Sequence, residues 1–247
     1  IFESPLLKKS GVGWNAWGMH QFDPWWTGKE WICAVDGRSS AGWSIGIYIA
    51  KPMPNTYCVA NKADLIAALN EAKDNEAHDV IKIQQGTYNG NFVYASTESF
   101  GVTIEGGYTV GCASRVVDPT NTVLDAQNNG VVLALSAPDV FADFALDGLT
   151  LQNGNVIGHG GGLFSLTDGT VTLTNNIISH NNADGEGGGA YFPSGTVTLT
   201  NNTFSHNSAS QGGGGAYFYC HAATLTNNTI SNNNANSYGG GVWFRIY

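Results

Sequence analysis

The acidic side chains in the glycine-rich stretches of this sequence are the residues best suited by type to catalysis. Paired carboxylates hydrolyse glycosidic bonds as acid and base, and carboxylates that bind Ca²⁺ beside a basic residue support elimination at acidic sugars. No lysine or arginine lies between Val116 and Phe244 to supply that base. We therefore predict a non-catalytic protein, in which these acids cap corners, and keep a polysaccharide lyase or hydrolase as the alternative. The candidate acids are Asp143, Asp147, Asp168, Asp184 and Glu186.

Two histidines, His180 and His206, occupy equivalent positions in neighbouring repeats. Stacked imidazoles can begin a metal site, but the third equivalent position is Asn232, and no cysteine or carboxylate shares it. We expect these histidines to face solvent, and we predict neither a metal site nor a cofactor.

The C-terminal third of the chain repeats itself with a period of 26 residues. Residues 169–189 read GTVTLTNNIISHNNADGEGGG, residues 195–215 read GTVTLTNNTFSHNSASQGGGG, and residues 222–241 read AATLTNNTISNNNANSYGGG. Units of this length cannot bury an apolar face alone, so they must stack on one another. Threonine pairs in the three units resemble the ice-binding faces of some solenoids, although threonine also suits any exposed strand.

Each unit has the pattern of three short strands joined by three corners. In the middle unit, Val197 and Leu199 alternate with threonines, which is the period-two pattern of a strand with one buried face. Asn201 and Asn202 end this strand, and Gly212–Gly215 forms the widest corner. The units lack the helical stretch of a leucine-rich repeat and are shorter than a propeller blade of about 40 residues. The pattern therefore predicts a parallel β-helix.

Equivalent residues of stacked units must form columns along the axis, at a spacing of about 4.8 Å. Leucines fill the interior, while asparagine amides at the bends can hydrogen-bond along the column. Asparagine also tolerates the left-handed backbone of a sharp corner. The predicted columns are Leu173, Leu199 and Leu225; Asn175, Asn201 and Asn227; and Asn181, Asn207 and Asn233.

The chain divides into a tryptophan-rich N-terminal segment, residues 1–57, and a β-helix, residues 58–247. An α-helix at about residues 61–76 is expected to cover the first coil and hide its unpaired backbone. Asn61 suits its N-cap, and Asp64 follows three residues later. Weaker strand patterns, spaced 20 to 22 residues apart, extend the β-helix upstream to about Asp79. The whole would have about seven coils.

Composition limits the partners of the chain. The formal net charge is −9, only 12% of residues are charged, and the only basic residue after Arg115 is Arg245. A surface so poor in lysine and arginine cannot neutralise phosphates, which argues against nucleic acid and against an anionic bilayer. No apolar run reaches the length of a membrane-spanning helix.

The four cysteines, Cys33, Cys58, Cys112 and Cys220, form an even set in a lysine-poor chain. Such a set is compatible with disulfides and export. Four cysteines allow three pairings. We favour Cys58–Cys112, which joins the N-terminal cap to an early coil, and free buried thiols remain the alternative.

Val242, Trp243 and Phe244 begin a further coil near the end of the sequence and predict an exposed edge. Unpaired strand edges recruit other strands, and heterologous contacts that do not close generate filaments. We expect head-to-tail self-association, in which the N-terminal segment of a neighbour covers this edge by strand addition. Truncation of a longer surface protein is the alternative. Six tryptophans lie in that segment and can serve as interface, core or sugar platform: Trp14, Trp17, Trp25, Trp26, Trp31 and Trp43.

Two short motifs recur at a fixed phase in the repeats. Residues 188–191 and 214–217, both Gly-Gly-Ala-Tyr, are similar to the Gly-Gly-Ala-apolar motif of the polymorphic outer-membrane autotransporter proteins. Residues 204–207, Phe-Ser-His-Asn, match the Phe-x-x-Asn motif of that family. Repeats of that family form surface-displayed β-helical passenger domains whose usual role is adhesion. The resemblance implies a surface or secreted scaffold and no catalytic residues.

The segment Cys58–Asp125 resembles the N-terminal part of secreted bacterial right-handed parallel β-helix repeat proteins. The shared stretches are Tyr-Cys-Val-Ala-Asn at 57–61, Gln-Gly-Thr-Tyr at 85–88, Ile-Glu-Gly-Gly-Tyr at 104–108, Gly-Cys-Ala-Ser-Arg at 111–115 and Asp-Pro at 118–119. The two resemblances together cover about three quarters of the chain, and residues 1–57 match neither family.

These observations predict an all-β protein, a right-handed parallel β-helix with an N-terminal capping helix. We expect a non-catalytic secreted or cell-surface structural protein that assembles with itself into an extracellular fibre. An adhesin fragment that binds a cell-surface glycan is the main alternative, and a polysaccharide lyase or hydrolase is the second.

Overall fold

The structure is a computed structural model that describes residues 54–245 and, in the N-terminal segment, only the backbone of three strands. The chain divides into two compact units, Ile1–Pro52 and Met53–Tyr247. In the first unit, β1 (Phe22–Trp26), β2 (Trp31–Ser39) and β3 (Gly42–Ala50) form an antiparallel sheet in that order. Among the candidate interface residues, Trp14 and Trp17 lie outside the described residues, as do the side chains of Trp25 and Trp26.

The second unit begins with β4 (Thr56–Val59), followed by α1 (Lys62–Glu71). Asn61 is the N-cap of this helix, because its Oδ1 accepts a hydrogen bond of 3.0 Å from the amide of Asp64. The Asp64 carboxylate in turn accepts from the Asn61 side chain and from the Ala60 amide. This reciprocal capping satisfies donors that a helix N-terminus otherwise leaves unpaired.

The helix ends at Glu71, about five residues earlier than its sequence pattern suggested. The backbone that follows has positive φ at Asp74 (55°) and Glu76 (62°), a left-handed conformation that an α-helix cannot include. Leu65, Ala68 and Leu69 are buried on the inner face of the helix.

The remaining strands wind into a right-handed parallel β-solenoid of about seven turns. Strands from successive coils pair in parallel and build four sheets along the axis. The first sheet contains β4, β5 (Asp79–Gln84), β8 (Val102–Tyr108), β11 (Phe144–Asp147), β15 (Thr170–Thr174), β19 (Thr196–Thr200) and β23 (Ala222–Thr226). The second contains β6 (Gly86–Asn89), β9 (Thr122–Asp125), β12 (Thr150–Gln152), β16 (Ile177–Ser179), β20 (Thr203–Ser205) and β24 (Thr229–Ser231).

The two other sheets complete each coil. The third contains only two-residue strands, β13 (Asn155–Val156), β17 (Asn182–Ala183), β21 (Ser208–Ala209) and β25 (Asn234–Ala235). The fourth contains β7 (Phe92–Ala95), β10 (Leu133–Ala137), β14 (Leu163–Thr167), β18 (Ala190–Phe192), β22 (Ala216–Phe218) and β26 (Val242–Phe244). The repeats thus have four strands each, not the three expected, because a two-residue strand is too short to show any periodicity in a sequence.

The upstream coils do not keep the spacing of 20 to 22 residues expected from the sequence. Ile104 of β8 pairs with Leu146 of β11, and the long interval between them includes a loop, residues 109–121, that contains two short 3₁₀ turns. Parallel pairing fixes which residues face each other, but it does not fix the length of the chain that connects them. The sequence period therefore disappears upstream while the register of the sheet continues.

The interior is a set of apolar columns in register. Leu146, Leu173 and Leu199 pair in succession along the first sheet and are at most 1% exposed. Leu225 continues this column but is only partly buried. Full burial of one such side chain stabilises the fold by about 1.5–3 kcal/mol, so the columns supply the main driving force for stacking.

The corner between the first and second sheets holds two adjacent asparagine columns with different roles. Asn175, Asn201 and Asn227 have φ between 54° and 57°, and their side chains lie at the surface, linked by one long hydrogen bond of 3.4 Å from Asn201 to Asn175. A second column, which is more buried and more extensively hydrogen-bonded, is formed by the next residue of each coil. The left-handed backbone turns the first asparagine outward and the second inward.

The buried column consists of Asn176, Asn202 and Asn228. Asn202 Nδ2 donates to the Leu173 carbonyl (2.8 Å) and to Asn228 Oδ1 (3.1 Å), while Asn202 Oδ1 accepts from the Asn176 amide (2.9 Å). The next corner repeats this arrangement with Asn181, Asn207 and Asn233. Each buried amide thus bonds both neighbouring coils and satisfies backbone groups that a sharp corner leaves unpaired.

The wide corner needs glycine for two reasons. Gly187 and Gly213 have positive φ (66° and 65°), which side chains rarely adopt. A Cβ at Gly189 would come within 2.3 Å of the Gly215 carbonyl oxygen, so successive coils approach too closely there for any side chain.

The asparagine columns lead to a mutational prediction. We expect Asn202→Ala to lower the free energy of unfolding by about 2–4 kcal/mol, because the buried Asn176 amide and Leu173 carbonyl lose their partner. Asn201→Gly is the matched control, since glycine tolerates the left-handed backbone, and should change stability by no more than about 0.5 kcal/mol. Urea unfolding followed by circular dichroism measures both. Equal losses in the two variants would show that the buried amide has no special role.

Candidate functional site

The exposed edge expected from the sequence lies in the last described coil. Val242, Trp243 and Phe244 form β26 and pair in parallel with β22. The Phe244 ring stacks on Phe218 at a centroid distance of 4.6 Å, yet Trp243 and Phe244 are 37% and 40% exposed. These three residues extend the fourth sheet, and the rings of Trp243 and Phe244 are exposed, as is the ring of Tyr238.

The asparagine columns also reach this edge with unused hydrogen-bonding groups. In the preceding coil, the amides of Asn202 and Asn207 donate to Asn228 Oδ1 and Asn233 Oδ1. Within the described part of the chain, the backbone N–H groups of Asn228 and Asn233 have no such acceptor, whereas their side-chain Nδ2 atoms donate to the Leu199 and Phe204 carbonyls.

A group of charges surrounds Arg115, in the loop at residues 109–121. Its guanidinium lies 2.8 Å from an oxygen of the Asp147 carboxylate and 3.6 Å from one of Glu105. It also donates to the carbonyl oxygens of Gly106 and Asp147. Glu105 and Asp147 are paired residues of neighbouring coils, so one arginine joins two carboxylates that share a sheet face.

Tyr108 closes this cluster. Its hydroxyl donates to the Glu105 carboxylate at 2.5 Å, and the Arg115 guanidinium lies 5.5 Å from its ring centroid. Burial, reinforced by the hydrogen bond and charge of Glu105, raises the pKa of Tyr108 to about 12. The tyrosine is therefore neutral at physiological pH and acts as a hydrogen-bond donor there.

Sequence patterns could not identify this cluster. Asp147 is one of the candidate acids, but Glu105 and Arg115 lie upstream of the regular repeats, where no sequence period relates them to Asp147. Only the register of β8 against β11, across the long interval that holds the loop, brings the three side chains together. The repeats themselves contain no comparable pair of unlike charges in the residues described.

A disulfide fixes the same loop at its other end. Cys58 of β4 and Cys112 are joined, with Cα atoms 5.8 Å apart. Cys220 is a free, buried thiol, and burial raises its pKa, while the side chain of Cys33 is not described. The loop is thus held both covalently, near the capping helix, and electrostatically, through Arg115.

The remaining candidate acids lie apart from one another. The Asp143 carboxylate accepts from the Thr170 amide at 2.8 Å, which is a corner-capping role. Glu186 lies 3.6 Å from His159 Nδ1, and the same nitrogen accepts from the Glu186 amide at 3.0 Å. Asp168 and Asp184 lie in other corners and share no hydrogen bond with these acids.

His180 and His206 stack face to face with centroids 5.0 Å apart, and both are exposed. Nowhere in the described residues do three or more histidine, cysteine or acidic side chains group as metal ligands do. Nor does any helix there have the length and apolar character needed to cross a membrane.

Asp125 ends β9 and accepts three hydrogen bonds: from the Gln127 amide at 2.7 Å, and from the Gln152 and Asn153 side chains at 2.9 Å each. Burial acts to raise the pKa of this carboxyl, but the three hydrogen bonds outweigh burial, and the pKa is lowered. A carboxyl whose pKa is lower in the folded state adds stability above its unfolded pKa of about 3.9 and loses it as the pH falls through the folded pKa.

We therefore expect Asp125→Asn to destabilise the protein by about 1–2 kcal/mol at pH 7 and by progressively less below about pH 4. Melting temperatures of both proteins between pH 2 and 8 measure the effect. Asp184→Asn is the control, because this exposed carboxylate accepts no hydrogen bond within the described residues. A difference in melting temperature between wild type and Asp125→Asn that stays constant from pH 2 to 8 would contradict this account.

With this geometry in hand, comparison with known proteins identifies a family. Residues 116–245, slightly more than half of the chain, match the family described as "Right handed beta helix region". No curated protein and no solved structure matches the chain. The matched segment begins directly after Arg115 and includes every coil of the regular repeat. The chain belongs to the right-handed β-helix family.

Proposed function

We propose that this chain is a non-catalytic structural protein of the cell exterior, and that its solenoid associates end to end with further copies. The observation that carries this proposal is the pair of buried asparagine columns. At equivalent positions of successive coils, the amides bond only to neighbouring coils, so the repeated residues serve to extend the solenoid.

Two features support an exterior location. The Cys58–Cys112 disulfide is of a kind that persists in oxidising compartments and is rare where thiols are kept reduced. The similarity of the Gly-Gly-Ala and Phe-x-x-Asn motifs to surface-displayed autotransporter repeats points to the same compartment.

The charged residues support a structural role. Arg115, the basic residue nearest to the paired carboxylates Glu105 and Asp147, is engaged by both of them and by two backbone carbonyls. An arginine bound in this way holds the loop and is poorly placed to act as a base, since its guanidinium stays protonated.

The end-to-end contact is supported by the last described coil. Within the described residues, the backbone N–H groups of its Asn228 and Asn233 lack the acceptor found in earlier coils, and its interior residues Leu225, Ile230 and Val242 are only partly buried. Stacking of another coil would cover this apolar surface and pair these amides. A strand from the N-terminal segment of a second copy is the proposed occupant, because helix α1 packs against β4, β5 and β7 at the opposite end of the solenoid.

We expect the purified chain to form fibres whose length increases with protein concentration, visible by negative-stain electron microscopy. Leu225→Lys should abolish them, because an inward-pointing charge at a strand edge prevents further pairing. Thr224→Lys, on the outward face of the same strand, is the control and should leave the fibres intact. Wild-type protein that remains monomeric at high concentration would defeat the end-to-end proposal.

Catalysis has a direct test, because the Glu105–Arg115–Asp147 cluster brings a basic residue next to two carboxylates, as a polysaccharide lyase or hydrolase would require. The wild-type protein and an Asp147→Asn control are incubated with pectin, alginate or related polysaccharides, with and without Ca²⁺. We expect the wild type to release no more unsaturated or reducing ends than the control does. Release by wild type that is lost in Asp147→Asn would establish the enzyme instead.

A further inference from the structure

We propose that a groove on the outer face of the solenoid, beside the loop at residues 109–121, binds a neutral oligosaccharide. The groove has a volume of about 420 Å³, within the range of small-molecule sites. Val117 and Pro119 of the loop form one wall, and two consecutive coils form the floor with Asn175, Asn176, Ile177, Asn201 and Thr203. The floor lies on the two coils that precede the last described coil, and the site does not depend on end-to-end association.

The wall of the groove is held in place before any ligand arrives. Thr150 Oγ1 donates to the Pro119 carbonyl at 2.8 Å, and the Val116 amide donates to the Gly107 carbonyl at 2.9 Å. The Cys58–Cys112 disulfide and the Arg115–Asp147 ion pair anchor the same loop. A preformed wall lowers the entropy cost of binding, so a shallow groove can still bind a ligand measurably.

The floor offers hydrogen-bonding groups that the protein does not use. Within the described residues, Asn201 Oδ1 and Thr203 Oγ1 accept no hydrogen bond, and Asn175 Oδ1 accepts only the 3.4 Å bond from Asn201. Asn175 and Asn201 occupy the same position in neighbouring coils, at the strand spacing of about 4.8 Å. Such a repeated row of polar groups suits a ligand that is itself a chain of similar units.

The chemistry of the lining selects a neutral sugar. Amide and hydroxyl groups both donate and accept, as sugar hydroxyls do, while Val117, Pro119 and Ile177 can pack against the apolar faces of sugar rings. Val117 is 47% exposed, so this apolar contact is available. Beside the floor, Asn175 Nδ2 donates to the Asp147 carboxylate at 3.0 Å, and Arg115 is paired with both Asp147 and Glu105. One cation between two carboxylates leaves no free cation for a phosphate, a sulfate or a uronic acid.

A matched pair of variants tests this site. Asn201→Gly removes an amide from the floor at a position where glycine fits the backbone, while Asn227→Gly removes the equivalent amide one coil further on, outside the groove. The probes are an array of neutral oligosaccharides, followed by titration calorimetry with the best-bound one. We expect binding to weaken about tenfold in Asn201→Gly, the effect of one or two hydrogen bonds, and to be unchanged in Asn227→Gly.

The outcomes of this binding experiment are independent of the outcomes of the fibre experiment. Failure of every neutral oligosaccharide to bind, binding of acidic glycans alone, or equal effects of the two variants would each overturn the proposal. Fibre formation by both variants would be unaffected in any of these cases, because neither residue lies on the interior face of the terminal coil.

Discussion

The parallel pairing of successive coils is the constraint on which this molecule depends. Once the backbone of one coil bonds to the next in register, equivalent side chains must lie about 4.8 Å apart, and each must tolerate a copy of itself as neighbour. Leucine and phenylalanine satisfy this condition inside, where Phe192, Phe218 and Phe244 stack in one column. Asparagine satisfies it at corners, because an amide carries both donor and acceptor and can bond to an identical amide.

The same constraint separates structure from chemistry along the chain. A regular repeat presents like groups to one another, so pairs of unlike charges arise only where the repeat is broken. Arg115 meets Glu105 and Asp147 because a loop was inserted between two paired strands. The groove beside residues 109–121 lies where this loop meets the regular repeats, so its wall is irregular and its floor is regular. The loop therefore supplies chemical variety, and the repeats supply a rigid and periodic surface.

Much of the fold could be predicted from particular residues. Three features recur at a fixed interval: the alternation around Val197 and Leu199, the Asn-Asn pairs and the glycine runs. This fixed interval alone implies that the coils stack. The capping helix followed from Asn61 and Asp64, although its last turn did not, since the backbone after Glu71 turns in a way that helical spacing cannot reveal. The identity of the buried asparagine was also undecided, because two adjacent asparagines are equivalent in sequence until one residue takes a left-handed conformation.

The sequence by itself determined a parallel solenoid, since the repetition of a period-two pattern every 26 residues leaves no other way to bury its apolar face. The sequence could not determine the register of the upstream coils, because hydrogen bonding between strands is indifferent to the length of the loop that joins them. Only the tertiary structure therefore decided that Arg115 faces two carboxylates and that Val117 and Pro119 lie over Asn175 and Asn201. Contacts of this kind depend on distance in space across an irregular insertion, for which a one-dimensional pattern carries no signal.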